Sequence, residues 1–332
     1  MGGNAIKDAT RISKSQYEEL SRSINQISTS HGRFNIIPSY NNKSDFGDMD
    51  ILCETVEVRD HLIETLKPYE VIKNGPVRSL AILVDNKPFQ VDLILSNTED
   101  YEFSYCYFSF NDLGNLIGRI AHKVGFKFGH DGLHYVLRDV DDQSRVVDTL
   151  CLTKDFFHAL EFLGYPDSYQ TKLMFHNGFN NLEDIFHFVT TSAFFAKDLF
   201  PLEHRSHRAR VRDAKRPTYT KFLKWIDENQ PADNFDWAEI KFINDLYKKT
   251  FVFRAFAEFP KFEDDINRIY GKYEQDKVNQ KKVTGKDIME VLGVRESEEV
   301  GRLLDKFKDQ YWKEIEELSR EEVLVLLEGW KG

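Results

Sequence analysis

Three aspartates stand where an apolar β-sheet would least tolerate them. In Ser39-Tyr-Asn-Asn-Lys-Ser-Asp-Phe-Gly-Asp48-Met-Asp50-Ile-Leu, a glycine precedes a short apolar run, Met49–Glu54, that reads as a strand opened by a tight Gly47 turn. Side chains alternate faces along a strand, so Asp48 and Asp50 project from the same face. Further on, Ser79–Val84 and Phe89–Ser96 are apolar runs separated by Asp85-Asn86-Lys87-Pro88, a hairpin signal, and Asp92 falls inside the second run. Neighbouring carboxylates repel unless a cation lies between them, and a lone charge in an apolar strand is costly to bury. A shared metal removes both costs. Mg²⁺ is the natural candidate, since it takes hard oxygen ligands and bridges carboxylates to substrate phosphates, with Mn²⁺ as a substitute. Taken singly, Asp-x-Asp is most often a solvated turn, and Asp92 could be an edge charge that discourages aggregation. Together they predict one three-carboxylate site that any fold of this chain must assemble.

The chain is long enough for about two domains, with 332 residues. Between residues 34 and 150 it reads as mixed strand and helix: Arg59–Lys67 is a helix stopped by Pro68, and Asn111–Val124 is the clearest helix of this half. From about residue 152 helical periodicity dominates, with helices expected near 153–163, 181–197, 218–229, 236–257, 261–277, 284–292, 297–316 and 319–329. An α+β domain followed by an all-helical one is the expected fold class. The charged stretch Lys272–Lys282 reads as a solvated linker or a helix surface.

The net charge of −10 argues against a polyanionic partner until it is resolved along the chain. Between Pro201 and Trp225 eight Lys/Arg meet two acidic residues, a local balance of +6 that leaves −16 on the remainder. This stretch contains Arg205, Arg208, Arg210, Arg212, Lys215 and Arg216, guanidinium and ammonium groups that could bind phosphates or form an intramolecular ion-pair surface. Tyr219 and Trp225 nearby could stack a base, although buried packing is the commoner use of each. Cys53, Cys106 and Cys151 are widely spaced and odd in number, which predicts buried hydrophobes in place of a disulfide framework or a zinc site. No apolar run approaches the ~20 residues of a membrane span. With no signal-peptide core or myristoylation pattern in MGGNAIKDAT, the expectation is a cytoplasmic or otherwise intracellular protein without a membrane partner.

On the Asn111 helix, Leu113, Leu116, Ile117, Ile120, Ala121 and Val124 form one apolar face, while Asp112, Asn115 and Arg119 cluster on the other. Asn111 is placed to cap it and Asp112 suits its positive end. An ordinary amphipathic helix would look the same. Gly47-Asp48-Met49-Asp50, preceded by Ser39 and followed by Val91-Asp92-Leu93, resembles the nucleotidyltransferase superfamily that includes DNA polymerase beta. In Tyr107-Phe108-Ser-Phe-Asn-Asp112-Leu-Gly-Asn115-Leu-Ile-Gly-Arg119, the Tyr-Phe, Asp, Asn and Arg fall at the family X polymerase spacing without a gap. Gly125-Phe126 and Leu152-Thr-Lys-Asp-Phe-Phe-His-Ala-Leu160 resemble the turn and helix that follow, so the similarity runs over roughly residues 33–168.

The chain departs from the pattern in several places. Pro38 replaces a glycine before Ser39, Asn41 and Asn42 replace arginines and leave Lys43 as the nearby cation, and Phe110-Asn111 replaces Gly-Ser. The family's N-terminal DNA-binding and lyase segment has no counterpart in the roughly 32 residues before the palm-like sequence, and a polymerase that trims its own gap is not expected. Near the other end, Val283-Thr-Gly285-Lys-Asp287-Ile-Met-Glu-Val-Leu-Gly293 and Val300-Gly301-Arg302-Leu-Leu304 are similar to the glycine-punctuated helices of tRNA nucleotidyltransferases, the CCA-adding enzymes. The Gly-Gly-x-x-Arg-Asp motif of that group's catalytic head is absent.

The resemblance implies an N-terminal helical segment (1–32), a polymerase-beta-like nucleotidyltransferase palm (33–150) and a helical substrate-binding domain (151–332). It implies Asp48 and Asp50 on two Mg²⁺ ions, with Asp92 on the catalytic one. Ser39 and Lys43 would meet the leaving phosphates, and Tyr107, Phe108, Asp112 and Asn115 would line a pocket for an NTP or dNTP. Arg119 and the basic stretch would face nucleic acid. The implied acceptor is a nucleic-acid 3′-hydroxyl, RNA or tRNA ahead of DNA. A reduced family X-type DNA polymerase, a transferase acting on a protein or small molecule, and a non-catalytic nucleic-acid-binding module are the rival readings.

Overall fold

The structure is a computed structural model that describes residues 5–142, 144–237 and 244–330. The apolar run after Gly47 forms β4 (Asp48–Cys53), in which Ile51, Leu52 and Cys53 are buried although they alternate between faces, as a strand inside a sheet requires. The hairpin strands are β6 (Val77–Val84) and β7 (Lys87–Leu95). β6 starts two residues earlier than expected, and β7 also starts early because Asp85 and Asn86 alone make the turn, with φ of 50° and 61°. This is the type I′ geometry whose twist suits antiparallel strands. Pro88, expected in the loop, lies in β7 opposite Leu83, and its carbonyl accepts the Thr10 N–H at 2.7 Å.

With β2 (Phe34–Ile36) and β5 (Glu70–Asn74), these strands form a sheet of order β2-β4-β7-β6-β5. Only β4 and β7 run parallel. Met49, Ile51, Val91 and Leu93 face one core with Val58 and Leu62 of α2 (Val56–Leu66) and Ile24 of α1 (Lys14–Asn25). A Ser13/Gln16 capping box starts α1. Ahead of it, β1 (Ile12–Ser13) pairs with β3 (Asp45–Phe46). On the opposite sheet face Leu52 packs with Ile37 and with Tyr101 of α3 (Tyr101–Phe108), a helix that the sequence did not reveal.

The Asn111 helix is α4 (Leu113–Lys123), and its apolar face is buried as expected. It begins two residues late because Phe110 and Asn111 are left-handed (φ 60° and 66°), so Asn111 is no cap and Asp112 takes that place without a side-chain cap bond. A second sheet, β8 (Phe126–Gly129), β9 (Gly132–Arg138) and β10 (Val146–Thr153), follows with order β10-β9-β8. The chain continues through α5 (Phe156–Phe162), α6 (Ser168–Asn177), α7 (Leu182–Thr190), α8 (His207–Asp213), α9 (Pro217–Asn229) and α10 (Asn244–Glu258). The helix expected over 181–197 stops at Thr190, since the Thr190 and Thr191 hydroxyls donate to the His187 and Phe188 carbonyls and Ser192 donates to Leu163. Residues 238–243 of the helix expected over 236–257 lie outside the described residues.

Packing divides the chain into two units. One comprises residues 1–136 and 149–259, the other 137–148 and 260–332. Helices α5 to α10 thus pack in the same unit as the five-stranded sheet. The second unit holds α11 (Phe262–Lys282), α12 (Gly285–Leu292), α13 (Glu298–Gln310), α14 (Trp312–Glu317) and α15 (Arg320–Gly329) around Ile288, Val300, Phe307, Ile315, Val323 and Leu327. Lys272–Lys282 is therefore helix and not linker. The helix expected over 297–316 bends at Tyr311 (φ −118°, ψ 30°), which lets both Phe307 and Ile315 reach that core. Of the cysteines only Cys53 is a buried hydrophobe; Cys106 is half-buried and Cys151 exposed. Among the described residues no helix is long and apolar enough to cross a membrane.

Candidate metal centre

Parallel pairing of β4 with β7 sets Asp50 directly beside Asp92, and the two-residue period brings Asp48 to the same face. Carboxylate oxygens of the three lie within 4.8 Å of one another. This acidic triad could hold a metal ion. Burial, reinforced by Asp48, pushes the Asp50 carboxyl well above its ordinary range, and burial raises Asp92 despite hydrogen bonds from Ser79 and Gln90. Three such groups cannot all be ionised comfortably without a cation, and an all-carboxylate donor set suits a hard divalent ion.

Gly47 does not have the positive φ of a glycine-only turn. Its missing side chain makes room for Arg11, whose Nη1 would stand 2.9 Å from a Cβ at this position while its Nε pairs with Asp45. Gly114 serves a close approach of a different kind: a Cβ there would run into the Tyr107 carbonyl, so α4 can meet α3 only through a glycine.

The triad opens into a cavity of about 780 Å³ within the first unit. Ser39, Lys43, Tyr107, Phe108, Asp112 and Asn115, dispersed in the sequence, all line it. Residues 39–43 are clamped by backbone bonds from Asn41 and Asn42 to the Phe179 and Asn180 carbonyls, both 2.7 Å, while Ser39 Oγ donates to Asn111 Oδ1 at 2.8 Å. Phe110-Asn111 thus keeps a tight turn without glycine, with the buried Phe110 ring edge-on to Phe175 and Phe179. Lys43 lies over the Phe46 ring, and burial lowers its pKa while Asp48 opposes the shift. Asn115 Nδ2 is a buried donor with no hydrogen-bond partner, a costly state that an acceptor in the cavity would relieve.

The basic stretch divides. Asp213, fully buried, gathers Arg205 at 2.6 Å, Arg212 at 3.0 Å and Arg216 at 3.8 Å, and Arg216 also pairs with Asp112 on the cavity wall. Arg205 further donates to the Tyr219 hydroxyl. Arg119 lies outside the cavity lining and donates to the Leu199 carbonyl, 2.9 Å from Nη2. Arg208, Arg210 and Lys215 are exposed, and of the basic candidates only Lys215 and Arg216 line the cavity. Tyr219 and Trp225 are buried.

Three cavity-lining residues and one neighbour of the triad went unread in the sequence. Tyr17 stacks on Phe46 (centroids 3.8 Å apart), its phenol pushed up by burial and by Asp50; His130 stacks on Phe108; Lys221 of α9 lines the wall. These three come from remote segments and carry no local signal. The fourth, Gln90, sits two residues before Asp92 on the same strand face and was legible as a second polar group in an apolar run.

Compared with known proteins, the chain matches no family model and no curated protein sequence.

Proposed function

We propose that this protein is a metal-dependent nucleotidyltransferase with a polymerase-beta-like catalytic fold. It would transfer a nucleoside monophosphate from an NTP or dNTP to a nucleic-acid 3′-hydroxyl and release pyrophosphate. One observation carries the reading: three carboxylates within 4.8 Å of one another, on paired parallel strands, open into a cavity whose wall also carries Arg11, Lys43, Lys215, Arg216 and Lys221. Asp48 and Asp50 would hold two Mg²⁺ ions and Asp92 one of them, with Mn²⁺ able to substitute. Bound there, the metal supplies charge neutralisation on the phosphates and a lowered pKa for the attacking hydroxyl.

The chain's own side chains do the rest by position and charge. Lys43, Lys215 and Lys221 line the same cavity and face the triphosphate, whose pyrophosphate carries away negative charge as the hydroxyl oxygen bonds to the α-phosphorus. Ser39, fixed by Asn111, adds a hydroxyl to the phosphate side. Tyr107 and Phe108 form the sugar wall, and the free Asn115 amide donor awaits an acceptor on the nucleotide. Asp112, tied to Arg216, shapes that wall through an ion pair.

An RNA 3′ end, such as that of a tRNA, is the preferred acceptor. The exposed Arg208 and Arg210, together with the likeness of residues 283–304 to CCA-adding enzymes, support it. Labelled NTPs and dNTPs offered with tRNA, single-stranded and gapped DNA acceptors test the proposal directly. Mg²⁺-dependent extension of RNA is expected, and it should vanish in folded Asp92→Ala. Extension of gapped DNA alone would favour the reduced polymerase, and label on protein would favour a transferase acting on a protein. Undiminished transfer by Asp92→Ala would remove that residue from the mechanism.

A further inference from the structure

Gln90 has no role in the chemistry so far, yet it is one of the most completely bonded side chains around the triad. It is 1% exposed, and its Nε2 lies 2.9 Å from both carboxylate oxygens of Asp92. Its Oε1 accepts the backbone N–H groups of Ala5 and Ile6, each at 3.0 Å. Only this orientation of the amide works, since turning it over would set its oxygen against the carboxylate and its nitrogen against two donors.

The segment that supplies those N–H groups is itself tied down. Ile6 is buried, the Ala9 N–H bonds to the Ile6 carbonyl, and Thr10 donates through both N–H and Oγ1 to Pro88 at the start of the same strand. The Asp92 carboxylate also receives a hydrogen bond from Ser79, its partner across β6. These contacts leave the carboxylate a lone pair for a cation, while fixing the plane in which it is offered.

We infer that Gln90 is the positioning residue of the metal centre, and that Ala5 and Ile6 hold Gln90 in register, so that the N-terminal segment is a working part of the site. This rests on reading the triad as a metal centre. Gln90 touches neither substrate nor metal; it acts through Asp92.

The test measures Mn²⁺ binding to the full-length protein by electron paramagnetic resonance. Gln90→Met keeps the volume and removes every hydrogen bond, and Ala5→Pro deletes one backbone donor without touching Gln90. Gln90→Met is expected to weaken Mn²⁺ binding about 10-fold or more, and Ala5→Pro by a smaller factor in the same direction. The double variant should fall short of the product of the two effects, because they interrupt one chain of contacts. In turnover, kcat should fall with little change in the nucleotide KM. Mn²⁺ binding unchanged in folded Gln90→Met overturns the inference, and should that variant not fold, unchanged binding in Ala5→Pro does so. Wild-type binding that is absent, or that survives Asp92→Ala, overturns the metal-centre reading as well. Binding lost in Asp92→Ala but intact in Gln90→Met overturns this inference alone.

Discussion

Asp50 holds its proton more tightly in the folded chain than in the unfolded one, because burial and Asp48 both disfavour its charge. The unfolded chain therefore releases this proton first as pH rises. Stability contributed by the neutral carboxyl is complete below the ordinary aspartate range and is lost as pH climbs toward about 7. Metal-free Asp50→Asn should then melt higher than the wild type at pH 8, by a few degrees, with the gap closing near pH 4; thermal melts in chelator at both pH values check this. Asn111 permits a different separation. Both Asn111→Ala and Asn111→Gly lose the acceptor for Ser39, but only alanine keeps the left-handed cost at φ 66°. Alanine should be the less stable of the two by about 1 kcal/mol in urea unfolding.

At the scale of elements, the closeness of α3 and α4 decides the cavity wall, since Tyr107 and Asn115 line it from either side of Gly114. Gly114→Ala should cost about 1–3 kcal/mol, read from denaturant midpoints, because the obstacle is a backbone carbonyl that cannot swing aside. Transfer activity should fall further than stability, as both wall residues move. The α4 apolar face was legible at its 3.6-residue period, and so was the alternation that puts Asp48 and Asp50 together. The start of α4 was not legible. Two consecutive left-handed residues, neither of them glycine, persist only because Phe110 is packed among Phe175 and Phe179, which belong to distant segments.

Across the whole molecule, the −10 charge conceals a division inside the basic stretch. Arg205 and Arg216 tie the buried Asp213 to neighbouring segments, and Arg212 pairs with it from the next position while staying half-exposed, whereas Arg208, Arg210 and Lys215 are exposed without that partner. Replacing Arg208 and Arg210 with alanine should weaken acceptor RNA binding and reduce the slope of log K against log salt by about 1.4, at roughly 0.7 per phosphate contact on a single strand. Binding titrations over a salt series measure that slope. Replacing Arg212 should leave it nearly unchanged if its pairing with Asp213 persists in the complex.

The sequence by itself determined the α+β class, the carboxylates that meet, and the apolar faces of the longer helices. Each of these follows from a local period and from the cost of burying an unpaired charge. Only the tertiary structure decided which cations face the cavity, that Asn41 and Asn42 anchor a loop, and that residues near the N-terminus reach Asp92 through Gln90. Those outcomes depend on strand register and on partners more than 80 residues apart, as Ala5 and Gln90 are, and no local pattern encodes such a pairing.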